Sequence, residues 1–323
     1  MPNRPEAIYF TGAGVYFFWQ VGAAKYMLES SSKSMPQIVG ASAGSLTGLM
    51  LLTGVDFDHA VEVALEKAEE KEVFTKPSGL RGELTGLLRD WMEAVLPRDI
   101  PSEVLDQLSI ALTPPPTNPF KSEPPTLESG FTCREDVIDA CLASCHIPWY
   151  SNGDPMESYR GTDFIDGSFW YFVTKNRFTG LPLPECDPEE ILWVDYGDDP
   201  DFMASIGKES FLSSHSPSKV RRMVEYGYNY MKRAHHEGRL PCAGTDKPLE
   251  VPSMLDGISG ADARAKRRDG PSQLEKERRE WLRATKRAAE VELGDLTTGG
   301  IIMMQGGLSG GIADFTLVHV EKE

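Results

Sequence analysis

Residues 37–50, Q-I-V-G-A-S-A-G-S-L-T-G-L-M, constrain the fold of this chain more than any other stretch. Ile38 and Val39 form a short apolar run of the kind that makes a buried strand, and the small and aliphatic residues after Gly44 read as a helix. Between them, Gly40-Ala41-Ser42-Ala43-Gly44 leaves room only for a tight turn. Strand, turn and helix around G-x-S-x-G is the context of a nucleophile elbow, in which a strained serine projects its hydroxyl clear of the backbone. Chain packs against chain so closely there that only small residues fit at Gly40 and Gly44. The free N–H groups and positive dipole end of the following helix then face any oxyanion that forms. The alternative is a glycine-rich turn with a solvated serine, and the pentapeptide alone does not separate the two.

The flanking chain supplies the context. Ala7–Phe10 reads as a buried strand, residues 11–14 as a tight turn, residues 15–29 as a helix, and the chain then enters the strand at Gln37. Strand, helix and strand in so short a span form a right-handed βαβ unit with neighbouring parallel strands. Both glycine-rich turns therefore lie on the carboxyl edge of one sheet, where such folds bind ligands. Gly12, Ala13 and Gly14 can turn their amides into the crevice as an oxyanion hole. A phosphate-binding G-x-G-x-x-G turn is the competing reading, but Phe17 occupies the third glycine position and no suitable acidic residue follows the second strand. The run Tyr16-Phe17-Phe18-Trp19 either lines a channel for an acyl chain or belongs to the core, the commoner role for aromatics at a helix start.

Further along, helices are expected at residues 56–70 and 87–95, and strands at Leu108–Leu112 and Ile191–Val194. A proline-rich connector at residues 113–125 reads as an ordered loop. Thr132-Cys133-Arg134-Glu135 has the form of a capping box opening a helix to about Ser144. Apolar residues lead into Asp166-Gly167, which puts that carboxylate at a strand end; an Asp-Gly pair is by itself usually a turn. Val220, Met223, Val224, Gly227 and Met231 recur at helical spacing among basic residues. Such a helix rests on lipid or, more commonly, packs on its own domain. Residues 261–292 are expected to be helical and solvated with Trp281 as an anchor, and a final strand is expected at residues 315–320. Residues 1–200 are expected to form the catalytic core, and residues 201–323 a helical extension and final strand packed on the same domain.

A chain of 323 residues with 40% hydrophobic and 9% aromatic side chains is long enough to bury a core of ordinary globular composition. No apolar run is long enough to cross a bilayer, and the apolar stretch at residues 7–28, broken by Gly12, Gly14, Gln20, Gly22 and Lys25, reads as core rather than a signal peptide. Five scattered cysteines without metal-ligand spacing suit reduced thiols in the cytoplasm. The net charge of −16 is concentrated in residues 1–200, which argues against nucleic acid and against strong attraction to anionic membranes.

A serine nucleophile needs a base. In the usual order of Ser, Asp and His, the histidines after Asp166 are His215, His235, His236 and His319, and none stands at a strand end followed by a loop. Their placement favours a dyad in which Asp166 takes the Ser42 proton directly. Partial burial would raise the aspartate's pKa and make that transfer feasible. A Ser–His–Asp arrangement through His215 or His319 is the less favoured variant.

Gly12-Ala13-Gly14 after the first strand, Gly40-Ala41-Ser42-Ala43-Gly44 after the second and Asp166-Gly167 downstream resemble the patatin-like phospholipase family. Most similar is the branch of adipose triglyceride lipase and adiponutrin. Residues 141–150, C-L-A-S-C-H-I-P-W-Y, add to the likeness, which covers roughly residues 7–75 and 130–200. The resemblance implies a three-layer α/β/α fold with a mostly parallel central sheet. It implies a Ser42–Asp166 dyad forming an acyl-enzyme, an oxyanion hole at Gly12, Ala13 and Gly14, and an elbow at Gly40 and Gly44. Neither metal nor cofactor would be needed, and the substrates would be acyl esters of glycerolipids or phospholipids at a membrane or lipid-droplet surface, met by a cytoplasmic, peripheral protein. The chain departs from the family at Phe17, at Ser168 in place of a second glycine, and at the aromatic run Phe169-Trp170-Tyr171-Phe172. These departures motivate a rival reading, a non-catalytic lipid-surface or regulatory protein.

Overall fold

A computed structural model describes residues 5–30, 35–115, 124–207 and 209–238, and the backbone of 301–308 and 313–320. The chain divides into two compact units, Met1–Pro248 and Leu249–Glu323. The strands of the first unit are β1 (Ala7–Phe10), β2 (Gln37–Ala41), β3 (Leu108–Leu112), β4 (Thr126–Glu128), β5 (Glu157–Tyr159), β6 (Thr162–Phe164) and β7 (Ile191–Val194). Its helices are α1 (Phe17–Ser30), α2 (Ala43–Thr53), α3 (Phe57–Glu70), α4 (Leu84–Val95), α5 (Ser102–Leu105), α6 (Arg134–Ser144), α7 (Phe169–Thr174), α8 (Arg177–Gly180), α9 (Pro200–Ile206) and α10 (Pro217–His236). In the second unit β8 (Ile301–Leu308) pairs antiparallel with β9 (Ala313–Val320). The helix expected at residues 261–292, with Trp281, lies outside the described residues, as does most of the proline-rich connector.

The central sheet has the order β4-β3-β2-β1-β7, parallel except for the antiparallel edge strand β4. Strand order reverses about β1: the chain moves from β1 to β2 and β3, then returns to β1's other side as β7. A crevice outside the carboxyl ends of the strands is the expected consequence. Alternation along the strands divides the core. Ile8, Phe10, Ile38 and Ile110 face a thick helical layer that includes α1 and α2. Ala7, Tyr9, Val39 and Ala111 face a thin one built from Tyr171 of α7 and from Leu181 and Leu183 after α8. The fold is thus three-layered, with unequal outer layers.

Two local points differ from the sequence reading or choose between its alternatives. The cap of α6 is displaced by one residue. Cys133 is the N-cap without a side-chain bond, and it is Asp136 that reaches back, accepting from the Thr132 N–H at 2.8 Å and its hydroxyl at 3.2 Å. Arg160, 2.6 Å from the Asp136 carboxylate, holds it in that position, while Glu135 stays exposed. The basic helix α10 packs on its own domain. It buries Val220, Met223, Gly227, Met231 and Ala234, and meets α1 backbone to backbone. A Cβ on Gly22 would strike the Val224 carbonyl, and one on Gly227 would strike that of Trp19.

Candidate active site

The elbow is built by steric exclusion. Ser42 sits between β2 and α2 at φ 53°, ψ −128°, a region that costs a non-glycine residue of order 1–3 kcal/mol and persists only when its surroundings hold it. Those surroundings are backbone. A Cβ on Gly40 would meet the Gly44 carbonyl and the Ser45 main chain, and one on Gly44 would meet the carbonyls of Phe10 and Thr11. The helix therefore presses directly on β1.

Asp166 reaches this turn from far along the chain. Ile165 bridges Thr113 at the end of β3, and the Asp166 N–H donates to the His146 carbonyl at 2.7 Å. The Ser42 hydroxyl donates to Asp166 Oδ2 at 2.5 Å, and the other carboxylate oxygen accepts the Ser168 N–H at 2.8 Å. Both side chains are buried. Burial pushes the Asp166 carboxyl up to about 6, against the opposing pull of Ser42, Ser168 and His146.

Gly12, Ala13 and Gly14 follow β1. Gly14 has φ +53°, and the next amide, Val15 N–H, donates to the Phe211 carbonyl at 2.7 Å. Among the described residues no hydrogen bond occupies the amides of Gly12, Ala13 or Gly14. Gly14 and Ser42 line one cavity of about 130 Å³. Gly12 instead lies against Ser168, whose side chain leaves no space for a Cβ, and Ala13 is fully buried. Phe17, the departure in this loop, begins α1 and turns its ring edge-on to Trp91 as part of the cavity wall. The aromatic run divides accordingly: Phe17 and Phe18 line the cavity, while Tyr16 and Trp19 are core. Most of the remaining wall is apolar, with Ala68, Leu87 and Trp91 from α3 and α4, Ile147 and Tyr150 after α6, and Phe211 and Leu212.

His215 also lies on this wall. Its Nδ1 is 3.4 Å from Glu209, and burial and Lys219 hold its pKa below the usual value. The Ser42 hydroxyl, however, is bonded to Asp166. His235 is on α10, its ring bonded to the Tyr26 hydroxyl at 2.7 Å. His319 lies in β9 opposite Ile302, its side chain outside the described residues. The sequence reading passed over Ser144, His146 and the Phe211 segment. Ser144 and His146 stand inside the C-L-A-S-C-H-I-P-W-Y stretch, which carries the family likeness without giving either a role; nothing local marks Phe211. Among the described residues no three His, Cys, Asp or Glu side chains converge as metal ligands, and no helix is long and apolar enough to cross a membrane.

Sheet, elbow and buried carboxylate define an α/β protein that carries a serine on a strained strand–helix turn in direct contact with an aspartate. The chain belongs to the patatin-like phospholipase family, whose profile matches residues 8–174. It is 28% identical over 172 residues to the omega-hydroxyceramide transacylase of Homo sapiens, covering 52% of this chain and 31% of that protein. Human 1-acylglycerol-3-phosphate O-acyltransferase PNPLA3 is 28% identical over 172 residues, 51% of this chain and 34% of its own length. Human patatin-like phospholipase domain-containing protein 2 is 29% identical over 184 residues, with coverage of 54% and 35%. The chain thus spans about a third of the length of these curated relatives.

Proposed function

We propose that this protein is a serine-dependent lipid acyl hydrolase, cleaving acyl esters of glycerolipids or phospholipids at a lipid surface through Ser42 and Asp166. The observation that carries the reading is the 2.5 Å bond from the Ser42 hydroxyl, on the wall of an apolar cavity, to the buried Asp166 carboxylate. As Ser42 Oγ attacks the ester carbonyl, its proton passes to Asp166. The oxyanion is stabilised by the free amides of the Gly12–Gly14 turn and the N-terminus of α2. Collapse of the tetrahedral adduct breaks the ester C–O bond, and Asp166 returns the proton to the departing alkoxide. The acyl group stays on Ser42 with its chain in the cavity. Water then attacks, giving its proton to Asp166, and Ser42 recovers a proton as the fatty acid leaves.

Acyl transfer is the second reading, with a lipid alcohol in place of water. The apolar cavity wall favours it, as do the names of two relatives, a transacylase and an acyltransferase. The test is fluorophosphonate labelling of Ser42, with fatty-acid release measured from phosphatidylcholine vesicles and from emulsified triacylglycerol, without and with an added monoacylglycerol acceptor. Wild type is expected to be labelled and to turn over. Ser42→Ala and Asp166→Ala should each lose about four orders of magnitude or more, and His215→Ala should stay within a few-fold. Binding to vesicles without labelling or turnover would favour the regulatory reading, and loss in H215A would favour a triad.

A further inference from the structure

The last residue of α6 touches both halves of the site. The Ser144 hydroxyl donates to the Ala111 carbonyl of β3 at 2.7 Å and accepts the N–H of Ser42 at 2.8 Å. Its own carbonyl accepts the Gly167 N–H at 2.9 Å, and two residues on the His146 carbonyl holds the Asp166 N–H at 2.7 Å. One helix end thus fastens the elbow on one side and the Asp166–Gly167 loop on the other, although Ser42 and Asp166 are 124 positions apart in the chain. Contacts around the joint are tight: a Cβ on Gly167 would run into the Ala111 carbonyl and the Ser144 hydroxyl.

We infer that Ser144 is a positioning residue, which sets the register between Ser42 and Asp166 and holds Ser42 in its strained backbone conformation. This rests on the dyad reading above, and it adds a group that does not touch substrate. A hydroxyl has one proton to donate and lone pairs to accept with. Because the proton goes to Ala111, the accepting side is left for the Ser42 amide. Removing this acceptor takes away the Ser42 amide's hydrogen-bond partner at the place where the backbone, at φ 53°, has least tolerance. Placement of the reacting oxygen is then the property lost. The same bond has a chemical corollary: the nucleophile's own amide is occupied, so the oxyanion donors are the Ala43 end of α2 and the turn at Gly12–Gly14.

The experiment compares wild type, Ser144→Ala and Ser144→Cys on two readouts, each normalised to folded protein by near-UV circular dichroism. The first is the rate of fluorophosphonate labelling, with the split of kcat and KM on a soluble nitrophenyl ester. S144A should lose about 10²-fold in labelling rate and in kcat with KM unchanged, the scale of a reacting atom misplaced by about 1 Å. S144C, whose thiol donates and accepts weakly, should recover part of that loss. The second is the far-downfield proton resonance expected of the short Ser42–Asp166 bond, which should be present in wild type and lost or shifted upfield in S144A. Where wild type is labelled, either readout unchanged in S144A overturns the inference, and so does a wild type without the resonance. A wild type that is never labelled but shows the resonance would remove the acyl-enzyme reading, while the resonance in S144A still decides the role of Ser144. Should S144A fail to fold, S144C decides on the same readouts, with unchanged values overturning the inference.

Discussion

A carboxylate that takes a serine proton has to be more basic than a solvated one and still ionised at working pH. Asp166, raised to about 6 by burial, meets both conditions. Only its ionised form accepts the proton, so kcat/KM should rise about tenfold per pH unit up to roughly pH 6 and level off above it; a profile centred near 4 would mean a solvated base. Stability should run the other way. The folded carboxyl holds its proton to about pH 6, while the unfolded one releases it near 3.8, so the folded state loses stability as pH rises through that window. Two units correspond to about 3 kcal/mol. Asp166→Asn is neutral throughout, and thermal melting should find it several degrees more stable than wild type at pH 8, inactive, and level with it below pH 4.

At the scale of elements, a pair of glycine notches lets α1 and α10 meet main chain to main chain. Gly22 and Gly227 each admit the other helix's main chain, so neither helix can seat without both. Gly227→Leu should cost about 1–3 kcal/mol or more by forcing the helices apart, measured by urea unfolding, while the Ser42 labelling rate per folded molecule stays at the wild-type level. The apolar spacing of α10 was legible in sequence, but its partner was not, because a glycine contact leaves no hydrophobic signature. The displaced cap of α6 has a similar cause. The T-C-R-E pattern is local, whereas the arginine that draws Asp136 into place comes from Arg160, beyond the helix.

Over the whole molecule, the parallel sheet and its loaded edge were readable because β1, β2, β3 and β7 are short, mostly apolar and buried runs, and β1 and β2 each run into a glycine turn. Neither the Ser42 pentapeptide nor Asp166-Gly167 is decisive alone; the two are legible as partners through their order along the chain, the placement of the histidines and the family resemblance. Of the cavity, only Phe17 and Phe18 were legible, as one of two readings of the aromatic run. Its wall is assembled from α1, α2, α3, α4 and the Phe211 segment, which share a surface only after the chain has folded, and Ser144 acts through a hydroxyl that carries no motif of its own. Filling that wall gives a further expectation. Ala68→Phe, on α3 and distant in sequence from the elbow, should lower kcat/KM for palmitoyl esters about tenfold or more while sparing butyryl esters. An equal loss on both would mean that acyl chains lie elsewhere.

The direct contact of Ser42 with Asp166 has a consequence for the covalent stage of the proposed cycle. A relay through imidazole creates a cation beside an anion and asks the interior to accommodate the pair. Here the proton passes between two oxygens, and the aspartate is discharged as the nucleophile is spent. Oily surroundings that would penalise a new ion thus tolerate the step, and reagents that modify imidazoles should leave turnover intact.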